Sequence, residues 1–403
     1  MLYDNCSKYV YNELIRIMPI TEWKNNKIVV YGLDVLSKTV ISILTQNGIE
    51  NITIVDRDKK GGVWADIEIL SPKETLTAIS SNNNLSIIVT PQKSHSIISN
   101  EIIKINPDFK ECILDLSYIR MDSMPNIFDN HGTVKNITLR DCQLEMLGLL
   151  KEFTEFCDNN NLRYFLDYGT LLGSVRHNGF IPWDDDLDVA MPMPDYLRFC
   201  ELYKDEKSEI MSFDSVSNSE TKDLSVSTLS KLKSKRIVTE YCSFPVRYMS
   251  GIALDIFPLC GYPTDLDEQE SYLKEFHYYA DVWKEKVVIP YGTEKYSREL
   301  HLDIWQKMME IACRYDYEKS EYVAPAYFGV DTYLSNGNRV MPKIWYSESI
   351  KQYFENILCN IPKGYDGVLS KWYGDYMKLP PVEDQVPHDT KSLYVVNDYS
   401  IYE

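Results

Sequence analysis

Between Pro182 and Asp188 the chain reads PWDDDLD, which sets Asp184, Asp185, Asp186 and Asp188 beside Trp183 and just ahead of the apolar run Val189-Ala190-Met191. Carboxylates this close repel one another, and burial raises the cost further unless protons or a cation compensate. In an extended strand alternate side chains share a face. Asp186 and Asp188 therefore point together, Asp184 joins them if the strand begins that early, and Asp185 faces away and should tolerate replacement. A hard divalent cation held by oxygen ligands, Mg²⁺ or Mn²⁺ rather than zinc, answers such a set. An acidic run alone is more often a solvated turn, so its context has to decide.

Two distant stretches supply that context. Upstream, LDYGTLLGSVRHNGF places Gly169 and Thr170 between a strand-like and a short helical segment, where backbone N–H groups can receive an anion. Gly173-Ser174 is a competing turn that does not directly follow the strand. Downstream, GIALDIFPL sets Asp255 among Ala253, Leu254, Ile256 and Phe257, a costly place for a carboxylate without a partner. A third acid on a neighbouring strand would close a cation site. Arg176, on the helix that follows Gly169, could meet an anionic ligand or be a surface charge, and Trp183 could stack on a base or simply pack. His177, near that helix's end, is expected to cap carbonyls.

These residues need elements to hold them. TLRDCQLEMLGLLKEFTEFCDNNN reads as a long helix, opened by Thr138 and Asp141 in a capping-box pattern, with Leu144, Leu147, Leu150, Phe153 and Phe156 recurring along it. RYFLDYG and DLDVAM then read as strands flanking a short helix. Residues 27–117 alternate β-branched runs with helical stretches, the pattern of βαβ units and a parallel sheet. The expected organisation is α/β: a Rossmann-like parallel-sheet domain over 1–119, a linker over 120–137 rich in turn residues, and an α+β catalytic domain with a mixed sheet over 138–403. The turn after the first strand, VVYGLDVLSKTV, offers only Gly32 where a dinucleotide fingerprint wants three glycines, with Asp34 and Ser37 in the other places. Asp56 ends the second strand where a ribose-binding acid would sit. No bound NAD is expected.

Composition narrows the class. The chain has 403 residues, 44% hydrophobic and 25% charged, with a formal charge of −18. That is an ordinary globular balance and argues against a nucleic-acid partner, whose phosphates demand Lys and Arg. No run is long and apolar enough to span a bilayer, and the N-terminus lacks a secretion-signal pattern. The nine scattered Cys suggest free thiols in a reducing cytoplasm.

YFLDYGTLLGSVRHNGFIPWDDDLDVAMP, ALDIFPL and WYGDYMKLPP resemble the successive signature blocks of the LicD family, which includes bacterial phosphorylcholine transferases and is related to fukutin and fukutin-related protein. The resemblance runs from about residue 140 to 390. It implies a nucleotidyltransferase-like fold that moves phosphocholine or a polyol phosphate (ribitol or glycerol phosphate) from a CDP-linked donor to a sugar hydroxyl, with CMP leaving. Carried over by position, Gly169 and Thr170 match the Gly-Ser/Thr turn, Asp186 and Asp188 the metal pair with Asp184 beside them, and Asp255 the third acid. Arg176 and Trp183 fall on the donor side. Lys/Arg-bearing segments precede the third acid in the family, which makes Lys233 and Arg236 of SKLKSKRIV donor contacts by analogy. The family's final block carries histidine, often two adjacent ones, where this chain has His388 alone, followed by Asp389. Mg²⁺ or Mn²⁺, a saccharide or lipid-linked glycan acceptor and a cytoplasmic site at the inner membrane face follow from the same likeness. A true nucleotidyltransferase that attaches NMP and releases pyrophosphate shares the turn and the acids and is the competing reading.

Overall fold

The computed structural model describes residues 3–5, 7–17, 19–33, 35–58, 60–64, 67–79, 84–91, 94–116, 135–216, 225–243, 246–288, 290–291, 295–325, 340–387 and 393–395. Contacts divide the chain into two units, one made mainly of residues 3–130 and one of 131–241 with 249–403. His388, Asp389 and Asp34 lie outside the described residues, as does all but the end of the expected linker.

The first unit is built on short, β-branched strands buried on both faces, which is what a sheet covered by helices on either side requires. Its strands are β1 (Lys27–Tyr31), β2 (Ile52–Val55), β3 (Ile67–Leu70), β4 (Leu85–Val89) and β5 (Ile113–Asp115). The four pairings among these five are parallel, in the order β3-β2-β1-β4-β5, and the two-residue strand Val63–Trp64 adds antiparallel to β3 at the edge. On one face, Val10 and Leu14 of α1 (Ser7–Ile17) and Val40, Ile41 and Leu44 of α2 (Val35–Gln46) pack on Ile28, Val30 and Ile54. On the other, Leu76 of α3 (Pro72–Ala78) and Ile98 and Ile102 of α4 (His95–Ile105) pack on Val29, Val55 and Ile87. The turn after β1 is closed by its own side chains: the Leu33 N–H donates to the Asp56 carboxylate at 2.8 Å, and a Cβ on Gly32 would meet Pro91 Cγ at 2.6 Å.

The second unit opens with α5 (Leu139–Asn159), whose reciprocal Thr138–Asp141 capping box is present as the sequence anticipates. Its apolar face, with Met146, Leu149, Leu150 and Phe153 fully buried, lies in the same core as β6 (Phe165–Leu166) and β7 (Leu187–Pro192). Between those strands runs α6 (Tyr168–Arg176), and after β7 comes α7 (Met193–Tyr203). β8 (Met211–Asp214), β9 (Ser230–Ser243) and β10 (Val246–Tyr262) follow. β7 is antiparallel to β6 and parallel to β10, while β9 neighbours β10 and pairs antiparallel with β8, so the sheet is mixed. Helices α8 (Leu266–Trp283) and α9 (Arg298–Ala312) add Phe276, Trp305 and Met308 to the core. Strand β11 (Tyr322–Pro325) pairs with the end of β10. The hairpin of β12 (Ser349–Phe354) and β13 (Ile357–Pro362) and then α10 (Tyr365–Tyr373) follow. Among the described residues no helix is long and apolar enough to cross a membrane, and the described cysteines are free.

Candidate active site

β7 is buried at every position, so it can exist only between partners, and its parallel register with β10 sets Asp188 directly opposite Asp255. The chain entering β7 is a turn. The strand begins at Leu187, and strand alternation therefore does not govern residues 184–186. Asp185, expected to face away and be replaceable, is instead only 6% exposed, and it offers a carboxylate oxygen within 4.8 Å of those of Asp184 and Asp186. The turn brings together three side chains that an extended strand would have split between two faces.

Asp188 is 8% exposed. Burial first, then the negative charges of Asp186, Asp255, Asp184 and Asp167, push its carboxyl well above the usual carboxylate range. Five acids from three separate stretches thus act on one another. Asp167, unremarked in the sequence, is 1% exposed and stands at the N-cap position of α6, where its side chain makes no capping hydrogen bond. Its only sequence signal is its place at the end of the short strand in YFLDYG.

The Gly-Thr turn lies inside the first turn of α6 rather than ahead of it. A Cβ on Gly169 would sit 2.9 Å from Asp184 Oδ2, so glycine here makes room for the carboxylate. The Thr170 hydroxyl accepts the backbone N–H of Asp188 at 2.8 Å, and the Asp167 N–H donates to the Asp188 carbonyl at 3.1 Å. Thr170 is therefore spent on locking α6 to β7, a positioning task. Gly173 and Ser174, the competing turn, are packing residues: a Cβ on Gly173 would meet the Gly179 carbonyl oxygen at 2.4 Å, and Ser174 Oγ donates to Leu171 O. Between Asp167 and Gly169, Tyr168 holds a left-handed φ of 45°, a conformation that costs a non-glycine residue about 1–3 kcal/mol and tends to collect at functional sites. Its ring stacks on Trp372 at 4.4 Å and tilts against Phe257 at 4.7 Å, which holds it there.

Asp255 is not the lone buried acid the sequence suggested. Its side chain is 20% exposed and accepts two hydrogen bonds from Lys231 Nζ, at 2.8 and 2.6 Å. Lys231 is the member of the basic run that reaches the acids. Lys233 forms an ion pair with Asp214, and Arg236 with the buried Glu145, so the two expected donor contacts serve the β8–β9 and α5–β9 joints. The alternation of β9 could not reveal this, because neighbouring strands, not spacing, decide which carboxylate each cation meets. Arg176 donates to the Tyr376 carbonyl at 2.8 Å and through Nε to His177 Nε2 at 2.9 Å. It ties α6 to the segment after α10, and Asp184 is close enough to act on its charge. His177 is the C-cap of α6, as expected, and it caps through its backbone N–H, which donates to the Gly173 carbonyl at 2.8 Å; its ring, whose pKa burial and then Arg176 lower, instead accepts from Arg176. Trp183 is half-buried against the core with its edge to His177, at 6.2 Å.

The site is thus a mixed sheet that carries a helix-borne glycine turn, an acid-rich turn and a third acid across a parallel strand pair. The profile of the LicD/FKTN/FKRP nucleotidyltransferase domain matches residues 161–288, which include Asp167 through Asp255. The lipopolysaccharide cholinephosphotransferase LicD of Haemophilus influenzae is 30% identical over 277 residues, covering 65% of this chain and 100% of that protein. An uncharacterised protein of Rickettsia typhi is 42% identical over 59 residues, 15% of this chain and 19% of its own. The chain belongs to the LicD family.

Proposed function

We propose that the second unit transfers a phosphate-linked group, phosphocholine in the first instance, from a CDP-activated donor to a sugar hydroxyl of a cell-surface glycan. The observation that carries this reading is the crowding of carboxylates: Asp184, Asp185 and Asp186 offer oxygens within 4.8 Å of one another, and Asp186, Asp255, Asp184 and Asp167 all act on the buried Asp188, a repulsion that a cation would relieve. The name of the Haemophilus relative supports the choline head group. Asp184, Asp185, Asp186 and Asp188 would hold Mg²⁺ or Mn²⁺, for which an all-carboxylate set is suited. Bound there, the cation would supply charge compensation for the donor diphosphate. The acceptor oxygen forms a bond to the distal phosphorus as the bond from that phosphorus to the CMP oxygen breaks. Asp255 accepts the proton of the attacking hydroxyl, and Lys231, already on Asp255, offsets charge on the nonbridging oxygens. Thr170 and Tyr168 keep the acids in register. The protein would act in the cytoplasm, on a glycan held at the inner membrane face, and its first unit would be Rossmann-like.

The test is to incubate the protein and Mg²⁺ with CDP-choline, CDP-ribitol or CDP-glycerol and candidate glycans, and to follow CMP. Glycan-dependent CMP release that is lost in Asp186→Asn supports the reading. Pyrophosphate release from an NTP would identify a nucleotidyltransferase instead, and full activity of a folded Asp186→Asn protein would end the assignment of the acids.

A further inference from the structure

The first unit carries a cavity of about 360 Å³, within the range of small-ligand sites, lined at the carboxyl ends of three adjacent parallel strands by Tyr31 of β1, Arg57 after β2 and Ser71 after β3. Open α/β sheets bind ligands beyond the carboxyl ends of their strands, because helix and strand termini leave a crevice there. The charge lining this cavity is opposite to that of the chain. Arg57, Lys60, Lys73 and Lys104 face it against one acid, Glu101, in a protein whose formal charge is −18. Among the described residues none of these five side chains makes an ion pair, so the cations are not there to satisfy protein carboxylates. The nearest acid at a strand end, Asp56, is turned to the backbone N–H groups of Leu33 and Asp58. The floor is apolar, with the half-buried Ile105 over the buried Leu76 and Ile102, which anchor α3 and α4 to the sheet.

We propose that this cavity is a binding site for a mononucleotide-sized phosphorylated ligand, separate from the acidic site of the second unit. The four cations would meet the phosphate, Glu101 the sugar hydroxyls, and the apolar floor at Ile105 the base. The division follows from chemistry: an anion needs donors, a ribose diol needs an acceptor, and a planar base needs an apolar surface. It does not use the glycine turn after β1, whose Gly32 and Leu33 do not line the cavity. The proposal stands or falls independently of the transferase reading, since no acid of that site takes part.

Calorimetric titration of the full-length protein in EDTA, with AMP, GMP and inorganic pyrophosphate as separate probes, tests it. Removing divalent ions silences metal-assisted binding at the acidic site. Saturable binding of AMP or GMP is expected, weakened about tenfold or more in Arg57→Ala/Lys73→Ala, since hydrogen bonds to charged groups are worth about 1.5–3 kcal/mol each. Glu101→Ala should weaken nucleotide binding and leave any pyrophosphate binding unchanged, and Asp186→Asn should alter neither. Arg57, Lys73 and Glu101 are exposed and Asp186 is half-buried, and circular dichroism checks that each variant folds. Absence of saturable binding by both nucleotides, binding indifferent to Arg57→Ala/Lys73→Ala, or binding of pyrophosphate alone would overturn the assignment.

Discussion

Two glycines four residues apart on α6 make opposite demands, and alanine at each should report them separately. A Cβ at position 169 meets the end of a short side chain, Asp184 Oδ2, at 2.9 Å. The carboxylate must retreat by about 0.5 Å to regain ordinary contact near 3.4 Å, and a half-exposed side chain can do so with little effect on folding. A Cβ at position 173 meets a backbone carbonyl, Gly179 O, at 2.4 Å, and backbone in a packed core does not yield without moving its neighbours. Overpacking of that kind costs about 1–3 kcal/mol. Gly169→Ala should therefore keep its unfolding free energy within about 0.5 kcal/mol of wild type. Its CMP release should drop about 10- to 100-fold, because sub-ångström to 1 Å misplacement of a catalytic group has that effect. Its Mg²⁺ requirement should rise with it. Gly173→Ala should show the reverse pattern, a lower midpoint with residual activity in proportion to the folded fraction. The assays are urea denaturation followed by fluorescence, and CMP release against Mg²⁺ concentration. A Gly169→Ala protein with unchanged turnover and unchanged Mg²⁺ dependence would refute the claim that Gly169 exists to admit the Asp184 carboxylate.

Lys231→Met should lower stability in EDTA by roughly 1–3 kcal/mol, below the about 3–5 of a fully buried pair because both partners keep some exposure, and Lys231→Met/Asp255→Asn should recover most of it in the same denaturation assay. In metal-free protein the raised pKa of Asp188 means that the folded state holds its proton more tightly than the unfolded state does. Stability should therefore fall as pH rises above the ordinary carboxylate range, and Asp188→Asn should flatten that fall while abolishing transfer, as read by urea midpoints across pH with and without Mg²⁺. Burial lowers His301 to about 4, so the unfolded chain takes up a proton first as pH drops below about 6.5, and roughly 3 kcal/mol of stability should disappear between there and pH 4. That loss should be smaller in His301→Gln; an equal loss in wild type and variant would assign it to other groups.

The sequence alone determined the types and the local order: the long capped helix over Leu139–Asn159, the alternating strands and helices of the first unit, and an acid-rich stretch leading into a strand. These are legible because capping residues, apolar periodicity and β-branched runs act over a few neighbouring residues. Tertiary structure decided who meets whom. The parallel register of β7 and β10 opposes Asp188 to Asp255, and two neighbours of β9 give Lys231 to Asp255 on β10 while Lys233 goes to Asp214 on β8. Spacing along one strand cannot specify either outcome, since a partner's identity depends on register with a segment tens of residues away. Asp185 marks the same boundary from the other side. Its exposure was read from strand alternation, but the strand begins only at Leu187, and the turn before it folds Asp185 inward to join Asp184 and Asp186. Residue type fixed the chemistry available at PWDDDLD, and long-range packing fixed which carboxylates share it.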